Sequence, residues 1–364
     1  MWDLTLPSLC AVFEKHFMMG NIVSPDEFND AELMAMYKHH YNSATAENAM
    51  KPESISSAPG VYTFEQADMV VKWAEENKIT LIGHAFVWHA QSALWLNRNE
   101  DGTPIPRAQA KANMEAFIKE YAGRYSGKIY SWDVINEAFI DSSGEDKPYS
   151  GNWREYIRRE TDNPRAVGHW YLAYANGAGA GECGTDYVFD AFYFARKYDP
   201  KAVLYYNDYN EEFPHKRNAI ADMVNDINAQ WRAHPEYDGR MLVEGIGMQG
   251  HHNHIHTDVD RIRKALELFS KTGTKIAITE MDFTFGSESD PASPLSAEDS
   301  KKQSEMYAAL FKLYVEFSDH IERVTIWGKS DGRSWRKWGS PTFFNEGGQA
   351  KEAFHAVVAT VGDQ

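Results

Sequence analysis

Two patterns of apolar positions alternate along nearly all of the chain's 364 residues. Short runs rich in β-branched and other apolar residues predict buried strands, and longer stretches with apolar residues three or four positions apart predict helices. The pattern predicts eight strands, at Phe17–Ile22, Tyr41–Ala46, Thr80–Val87, Lys128–Ile135, Ala202–Asn207, Leu242–Met248, Lys275–Thr279 and Arg323–Trp327.

The helical pattern is clearest in two segments between these strands, Gln66–Asn77 and Val259–Lys271. Each segment places four apolar side chains on one face, which are Met69, Val70, Trp73 and Ala74 in the first and Ile262, Ala265, Leu266 and Phe269 in the second. Strands that alternate with helices are typical of an α/β protein with a parallel sheet, and eight of them predict a (β/α)8 TIM barrel. No Pro/Ser-rich linker or internal repeat divides the sequence, so we expect a single domain over residues 1–364.

The longest irregular stretch is predicted at about residues 141–184, as an extended loop that ends in a glycine-rich run. A loop of this length is either functional or mobile. The glycines do not predict a phosphate site, because no strand precedes them and no Lys-Ser/Thr follows.

The composition narrows the possible partners. A net charge of −16 argues against nucleic acid and anionic membranes as partners, and an aromatic content of 13% favours flat surfaces that pack against sugar rings.

The two cysteines, Cys10 and Cys183, form neither a disulfide framework nor a metal-binding pattern. No obligate protein partner is evident. The first seven residues lack the features of a signal peptide, so we expect a cytoplasmic protein, or a secreted one if a leader was removed.

Two glutamates stand at the ends of predicted strands. Glu137 closes the run that starts at Ile129, and Glu280 follows the apolar run that starts at Lys275. The carboxyl ends of the strands carry the chemistry in barrel enzymes, and a closed sheet would bring these two carboxylates together. Most glycoside hydrolases use a pair of carboxyl groups to break the glycosidic bond. Either glutamate alone is equally compatible with a surface acid at a strand end.

Seven motifs follow one another at the strand ends. They are Glu47-Asn-Ala-Met-Lys51, Gly83-His-Ala-Phe-Val-Trp-His-Ala-Gln91, Trp132-Asp-Val-Ile-Asn-Glu137, Asn207-Asp-Tyr-Asn210, Gly247-Met-Gln-Gly-His251, Ile278-Thr-Glu-Met-Asp282 and Trp327-Gly with Trp335. In this order they resemble the motifs of glycoside hydrolase family 10, the xylanase family. The resemblance extends from Leu6-Pro-Ser-Leu to the C-terminal helix. It implies a retaining endo-β-1,4-xylanase that acts on xylan or xylo-oligosaccharides and needs no cofactor.

The resemblance also implies roles for individual residues. Glu137 would be the general acid and then the base, and Glu280 the nucleophile, with the carboxyl groups about 5–5.5 Å apart as in retaining enzymes. Asn136 would bind the sugar 2-hydroxyl, while His251 would hydrogen-bond the nucleophile and be held by Asp282. Substrate-binding residues would be Glu47, Asn48, Lys51, His84, Trp88, Gln91, Tyr209, Gln249, Trp327 and Trp335. We expect His89 to act only indirectly.

A metal site is the alternative interpretation of Gly250–His256, where four histidines lie close together. Zinc sites use closely spaced histidines. However, the resemblance already gives His251 a role, and no cysteine accompanies the others, so we expect a solvated loop and no metal. Asp258 and Asp260 are expected to begin the next helix, where acidic side chains suit the helix dipole.

Three features depart from the family pattern. Lys329 stands two residues after Trp327, where an apolar residue is usual, and could alter the cleft rim. Ala93 replaces a usual proline before Trp95. The segment at residues 141–184 is longer than is typical, and we expect it to shape the aglycone side.

Two other functions remain open from the sequence. One is a retaining barrel glycosidase that acts on β-1,4-glucan, which the surroundings of Lys51 and Trp327 would decide by admitting or excluding a hydroxymethyl group. The other is a non-catalytic carbohydrate-binding barrel, which the intact Glu137 and Glu280 argue against.

Overall fold

The structure is a computed structural model that describes residues 2–141 and 148–361. Part of the predicted loop, residues 142–147, lies outside the described residues, as do residue 1 and residues 362–364 of the predicted domain.

Eight parallel strands form a closed barrel in the described part of the chain. In chain order they are β1 (Met18–Val23), β2 (Ser43–Ala46), β3 (Thr80–Trp88), β4 (Ser131–Asn136), β5 (Val203–Asp208), β6 (Gly245–Met248), β7 (Lys275–Thr284) and β8 (Ile321–Ile326). Each strand pairs with its neighbours in sequence, and pairing of β8 with β1 closes the sheet. The predicted fold is therefore confirmed.

A helix follows each barrel strand and covers the outside of the sheet. These helices are α1 (Ala31–His40), α2 (Glu65–Asn77), α3 (Arg107–Arg124), α4 (Tyr187–Tyr198), α5 (Pro214–Arg232), α6 (Val259–Ser270), α7 (Ala297–Glu316) and α8 (Glu352–Val358). Short α-helices lie at Leu9–Val12, Pro52–Ile55 and His169–Ala175, and 3-10 turns at Pro25–Glu27, Leu94–Leu96, Trp153–Tyr156, Gly184–Asp186, Asp331–Arg333, Lys337–Gly339 and Ala359–Val361. A small hairpin joins Ser56–Ala58 to Val61–Tyr62.

The strands that differ most from their predicted bounds are β4, β6 and β7, and β4 begins at Ser131 and not at Lys128. β6 begins at Gly245 and not at Leu242. The backbone amides of Leu242 and Val243 instead donate hydrogen bonds to the side chain of Asn228 in α5, at 2.9 Å each. β7 continues to Thr284, because its last residues pair with a short parallel strand, His251–Asn253. Glu280 therefore lies within a strand and not at its end.

The predicted helices are confirmed to within one residue at each end. α6 begins where the sequence predicts, because the Asp258 side chain accepts the amides of Asp260 and Arg261, at 2.9 and 3.1 Å. This cap satisfies amides that the first turn of a helix leaves without a partner. None of the described helices is both long and apolar enough to cross a membrane.

The segment at residues 141–184 is more regular than the predicted extended loop. It contains the helix His169–Ala175, whose seven residues are too few to show a helical period in the sequence. Trp153, Trp170 and Tyr174 are buried. The indole of Trp153 donates to Asp226 of α5, at 2.8 Å. The aromatic side chains therefore attach the segment to the barrel.

Glycine makes room for large aromatic side chains at two places in the barrel wall. A Cβ atom at Gly83 would lie 2.0 Å from the ring of Trp132, and one at Gly245 would lie 2.3 Å from Tyr205. Both aromatic side chains are fully buried. The indole nitrogen of Trp132 also donates to Asp199, at 2.9 Å, so the ring cannot move without breaking this bond.

We predict that Gly83→Ala lowers the free energy of unfolding by about 1–3 kcal/mol or more, because overpacking forces a fixed ring to move. Gly123→Ala is the matched control, because Gly123 lies in α3 with nothing within 4 Å of an added Cβ. Alanine there should raise the stability by up to about 1 kcal/mol. Chemical denaturation followed by circular dichroism measures both changes. Equal stabilities of the two variants would contradict the packing argument.

Candidate active site

A cleft of about 810 Å³ lies over the carboxyl ends of the barrel strands. It is lined by Glu47, Asn48, Lys51, His84, Trp88, Gln91, Asn136, Glu137, Tyr209, Gln249, His251, Glu280, Glu288, Trp327, Trp335, Arg336 and Trp338. The structure thus brings together every site residue that the sequence predicts except Asp282, which is fully buried behind His251. Glu288, Arg336 and Trp338 were not predicted.

Glu137 directly follows β4 and has a left-handed backbone, with φ +57°. This conformation is uncommon for a residue other than glycine and needs support from its surroundings. The Glu137 amide donates to the carbonyl of Asn207, at 2.9 Å, and the Glu137 carbonyl accepts from Arg158, at 2.8 Å. These backbone bonds hold the residue where its side chain lines the cleft.

Burial raises the pKa of the Glu137 carboxyl, and the negative charges of Asp208 and Glu280 raise it further. Opposing hydrogen bonds come from Gln249 to Oε1 and from the indole of Trp88 to Oε2, both at 2.9 Å. Glu137 exposes 13% of its side chain, so its charged form is poorly hydrated. The site favours the protonated acid.

His89 lies beside this acid, with Nδ1 3.9 Å from Glu137 Oε2. Burial lowers the pKa of His89 to about 3, and the positive charge of Arg158 acts in the same direction. The imidazole is therefore neutral at neutral pH and does not counteract the protonation of Glu137. Its position agrees with the expected indirect role, which stays a prediction.

The Glu280 carboxyl has the opposite balance. Burial alone would raise its pKa, but a hydrogen bond from His251 and the positive charges of His84 and His251 outweigh burial and lower it. His251 Nε2 lies 3.1 Å from Oε2 of Glu280, and the side-chain amide of Asn207 donates to Oε1 of Glu280 at 3.0 Å. Glu280 is therefore held as an oriented anion, although only 9% of its side chain is exposed.

His251 connects Glu280 to a second carboxylate. Its Nδ1 lies 3.0 Å from Oδ2 of Asp282, which is fully buried. Burial lowers the pKa of His251, but the charges of Asp282 and Glu280 and the hydrogen bonds to them raise it to about 10. The imidazole is thus doubly protonated at neutral pH and donates from both ring nitrogens.

Side-chain amides connect the two glutamates of the cleft. Asn136 Oδ1 accepts from Asn207, at 2.9 Å, and from Gln249, at 3.2 Å. Gln249 and Asn207 in turn donate to Glu137 and Glu280 respectively. These neutral groups fix the relative positions of the two carboxyls without adding charge.

One wall of the cleft is held by Lys51 and its partners. The ammonium group donates to Asn48 at 2.9 Å and to Gln91 at 2.8 Å, and it lies 5.5 Å from the ring centre of Trp88. Glu47 Oε2 accepts from Ser24, at 3.2 Å. The wall therefore offers polar atoms at fixed positions, which hydroxyl-rich ligands require.

His84 lies under this wall and contacts two of the cleft's tryptophans. Its Nδ1 lies 2.9 Å from Asp133, and its ring centre is 5.9 Å from that of Trp88 and 6.0 Å from that of Trp327. Burial lowers the pKa of His84, but the hydrogen bond to Asp133 and the charges of Glu280 and Asp133 outweigh it and raise the pKa.

The aromatic side chains of the cleft differ widely in exposure. Trp327 is only 6% exposed and forms part of the floor, whereas Trp335 is 58% exposed. The ring of Trp335 stands edge-on to His251, with the ring centres 5.1 Å apart. An exposed ring beside His251 is well placed to contact a bound ligand.

Several supporting residues were missed by the sequence analysis. Asn207 and Asp208 belong to a motif from which only Tyr209 was selected. Lys216 of α5 is buried and lies 2.7 Å from Asp208 and 3.2 Å from Asp141. Arg158 donates to the hydroxyl of Tyr209, at 3.0 Å. Asn207 and Asp208 stand next to Tyr209 at a strand end, and this position could have indicated a role in the site. No sequence pattern indicates that Lys216 or Arg158 supports the site.

Lys329 and three of the four clustered histidines lie outside the cleft lining. Lys329 is buried and donates to Glu27 at 2.8 Å, so it belongs to a buried ion pair and not to the cleft rim. In the histidine run, His252 is buried while His254 stacks on Phe285, with ring centres 4.7 Å apart. The described residues contain no group of three or more potential ligands that could hold a metal ion.

The family model described as "Glycosyl hydrolase family 10" matches residues 8–360. The chain belongs to glycosyl hydrolase family 10. This family-10 chain is 32% identical to an endo-1,4-beta-xylanase of Geobacillus stearothermophilus, and the match covers 97% of the chain and 98% of the relative. It is 33% identical to endo-1,4-beta-xylanase A of Thermotoga maritima, of whose length it spans only 31%.

Solved structures of family-10 xylanases have the same fold. Xylanase XynB from Paenibacillus barcinonensis, solved with a conduramine derivative, is 32% identical, with a TM-score of 0.81 over 98% of this chain and 99% of that one. A termite-gut GH10 xylanase with a bacterial Ig-like domain is 33% identical, with a TM-score of 0.83 over 100% of this chain and 79% of that one.

We predict that His251 of this family-10 protein stays protonated well above pH 7. Because its folded pKa of about 10 exceeds the usual value of about 6.5, its contribution to stability is fully present below about pH 6.5 and is lost as the pH rises towards 10. Long-range ¹H–¹⁵N spectra across a pH titration measure the ring directly. A His251 midpoint near the usual value of about 6.5 would contradict the geometry.

Proposed function

We propose that the chain is a retaining endo-β-1,4-xylanase in which Glu137 is the acid and base and Glu280 is the nucleophile. The observation that carries the proposal is the contrast between two carboxyls in one cleft, since the pKa of Glu137 is raised and that of Glu280 is lowered. Two carboxyls in environments that separate their pKa values are the pattern of an acid and a nucleophile.

The first step uses the proton on Glu137. As the Glu280 carboxylate attacks the anomeric carbon, Glu137 gives its proton to the glycosidic oxygen, and the carbon–oxygen bond to the leaving sugar breaks. The products are a leaving sugar with a free hydroxyl and a glycosyl ester on Glu280. His251 remains protonated during this step, and so keeps one oxygen of Glu280 oriented.

The second step restores both carboxyls. Glu137, now ionised, takes a proton from a water molecule whose oxygen attacks the anomeric carbon, and the ester bond to Glu280 breaks. Two inversions at the same carbon keep the β configuration. Retention predicts that the two carboxyl groups lie about 5–5.5 Å apart.

Asn136 is proposed to bind the 2-hydroxyl of the sugar at the reaction centre. Its Oδ1 is engaged by Asn207 and Gln249, and its Nδ2 lies 3.3 Å from Glu137 Oε1. The Asn136 side chain is therefore fixed beside the Glu137 carboxyl, and its NH2 group can donate a hydrogen bond to the oxygen of a sugar hydroxyl.

The wall beside Lys51 supports a pentose substrate. Lys51 is tied to Asn48 and Gln91, and Trp327 is packed against His84, so neither can withdraw easily. A fixed wall disfavours the extra hydroxymethyl group of a glucosyl unit, because a packed site admits additional atoms only with strain. The relatives' names agree with xylan as the polymer.

The segment at residues 141–184 is proposed to support the acid side of the cleft and the aglycone sugars there. Its first residue, Asp141, accepts a hydrogen bond from Tyr209, a residue of the cleft. The backbone of Gly168 packs against the carbonyl of Arg158, where an added Cβ would lie 1.9 Å away. Arg158 itself supports the backbone of Glu137, so the segment contacts the acid through this arginine.

Proton NMR during the first minutes of xylan hydrolysis tests the proposed function. We expect the β-anomer of the products to appear first, with the α-anomer following by mutarotation. A parallel reaction with a β-1,4-glucan should release far less reducing sugar. An α-anomer that appears first would contradict double displacement, and equal rates on the two polymers would favour the glucanase alternative.

We predict that the two glutamate variants differ. Glu280→Ala should abolish turnover of all substrates. Glu137→Ala should largely spare glycosylation by aryl xylobiosides with activated leaving groups, because these need little protonation, and should slow deglycosylation. Azide should then partly restore turnover and yield a β-glycosyl azide. Burst kinetics and product analysis measure these effects.

Glu305→Ala is the control, since this exposed carboxylate lies on α7. It should behave as the unaltered protein. Normal hydrolysis of xylan by Glu137→Ala would show that the acid has been wrongly identified.

A further inference from the structure

Arg336 lies in the loop after β8 and reaches under the cleft to Asp282. One guanidinium nitrogen donates to Asp282 Oδ1, at 2.6 Å, and to the carbonyl of His252, at 3.1 Å, while the other donates to Thr284 Oγ1, at 2.8 Å. The arginine exposes only 12% of its side chain. It therefore joins the loop after β8 to the end of β7 through a charged, largely buried contact.

Asp282 is the meeting point of three donors. Oδ1 accepts from Arg336, and Oδ2 accepts from His251, at 3.0 Å, and from the indole of Trp335, at 3.1 Å. A fully buried carboxylate is costly unless it is paired and its lone pairs are occupied. Two cations and a neutral donor therefore satisfy this carboxylate.

The charges alternate along the line from the cleft into the protein. Glu280 is negative, His251 positive, Asp282 negative and Arg336 positive. Without Arg336, the charges of His251 and Asp282 would cancel each other. With Arg336, one net positive charge remains on the buried side of Glu280 and favours the anion.

We propose that Arg336 is a positioning residue for the nucleophile, which acts through Asp282 and His251. This inference rests on the proposed function of Glu280. Arg336 keeps Asp282 ionised and in place, and Asp282 in turn keeps the imidazole of His251 directed at Glu280. Its contribution is mainly its charge, because the ionised state of Glu280 depends on the net charge behind it.

The neighbouring ionisable groups determine how the loss of Arg336 should appear. Those that interact electrostatically with Asp282 or Glu280 are His84, His251, His252, Tyr307, Lys51, Glu137 and Arg336. Of the cations in this group, Arg336 and His251 contact Asp282 directly. Removal of Arg336 therefore makes the surroundings of Glu280 more negative and raises the pKa of its carboxyl.

The experiment compares Arg336→Met with Arg336→Lys on an activated aryl xylobioside. For this substrate kcat/KM reports formation of the glycosyl-enzyme, in which Glu280 must be ionised. Arg336→Met should lower kcat/KM by about 10- to 100-fold, because hydrogen bonds to charged groups have this magnitude. It should also move the acidic limb of the pH profile to higher pH. Arg336→Lys retains the charge but loses the fixed set of guanidinium donors, and we expect it to be impaired much less than Arg336→Met, within about fivefold of the unaltered protein.

Arg333→Met is the matched control. Arg333 belongs to the same loop and pairs with Glu27 and Asp30, and not with Asp282. It should leave both kcat/KM and the acidic limb unchanged. Thermal melting of each variant separates an effect on the site from an effect on folding.

Two results would overturn the proposal. One is an Arg336→Met variant that matches Arg333→Met in kcat/KM and in pH profile. The other is an Arg336→Lys variant that is as impaired or as unfolded as Arg336→Met. That result would show that Arg336 acts through its hydrogen bonds to Thr284 and His252 and not through its charge. If Arg336→Met does not fold, the lysine variant alone distinguishes a role of the positive charge from a role of the hydrogen bonds to Thr284 and His252. An unaltered protein that does not cleave the aryl xylobioside would instead contradict the proposed function.

Discussion

His251 lies between two buried carboxylates, and the electrostatics of the cleft depend on this position. Its two ring nitrogens lie 3.1 Å from Glu280 and 3.0 Å from Asp282. A doubly protonated imidazole satisfies both carboxylates and still leaves Glu280 ionised. The Glu137 carboxyl, in the same cleft, accepts hydrogen bonds only from neutral groups among the described residues, and burial therefore raises its pKa. His251, together with the charge of His84, thus makes the two glutamates chemically different.

The barrel makes this arrangement possible because its strands end at one edge. β4 contributes Asn136, and β5 contributes Asn207 next to it. β7 contributes Glu280 and continues to Asp282, which pairs with His251 in the short strand beside it. Parallel pairing keeps these side chains in register, so that neutral amides fill the space between the two carboxyls. Buried polar groups without such partners would cost stability.

Much of the fold and most of the cleft could be predicted from the sequence. Periodicity located eight strands because buried parallel strands are continuous apolar runs, and Glu137 and Glu280 stood out at their ends. The end of β7 was misplaced, because its last residues pair with His251–Asn253, a partner that no local pattern reveals. The helix His169–Ala175 was missed because seven residues carry too little periodicity.

Residues that support the site from a distance were harder to predict. Arg158, Lys216 and Arg336 carry charges that are common on surfaces, and only the fold shows that each is largely buried against a carboxylate or a strained backbone. Lys329 shows the reverse, because a residue expected at the cleft rim lies in a buried pair with Glu27. Burial of a charged side chain is a property of the tertiary structure, which hydrophobic patterning cannot report.

The central claim is that Glu280 is the nucleophile and Glu137 is not. The most direct measurement is to trap the intermediate with a 2-deoxy-2-fluoro-xylobioside that carries a good leaving group, and to locate the label by peptide mass spectrometry. The fluorine slows both formation and hydrolysis of the ester, and the good leaving group speeds formation alone, so the ester accumulates. The account predicts one fluoroglycosyl group per protein, attached to Glu280. A label on Glu137, or complete turnover with no covalent adduct at any time, would contradict it.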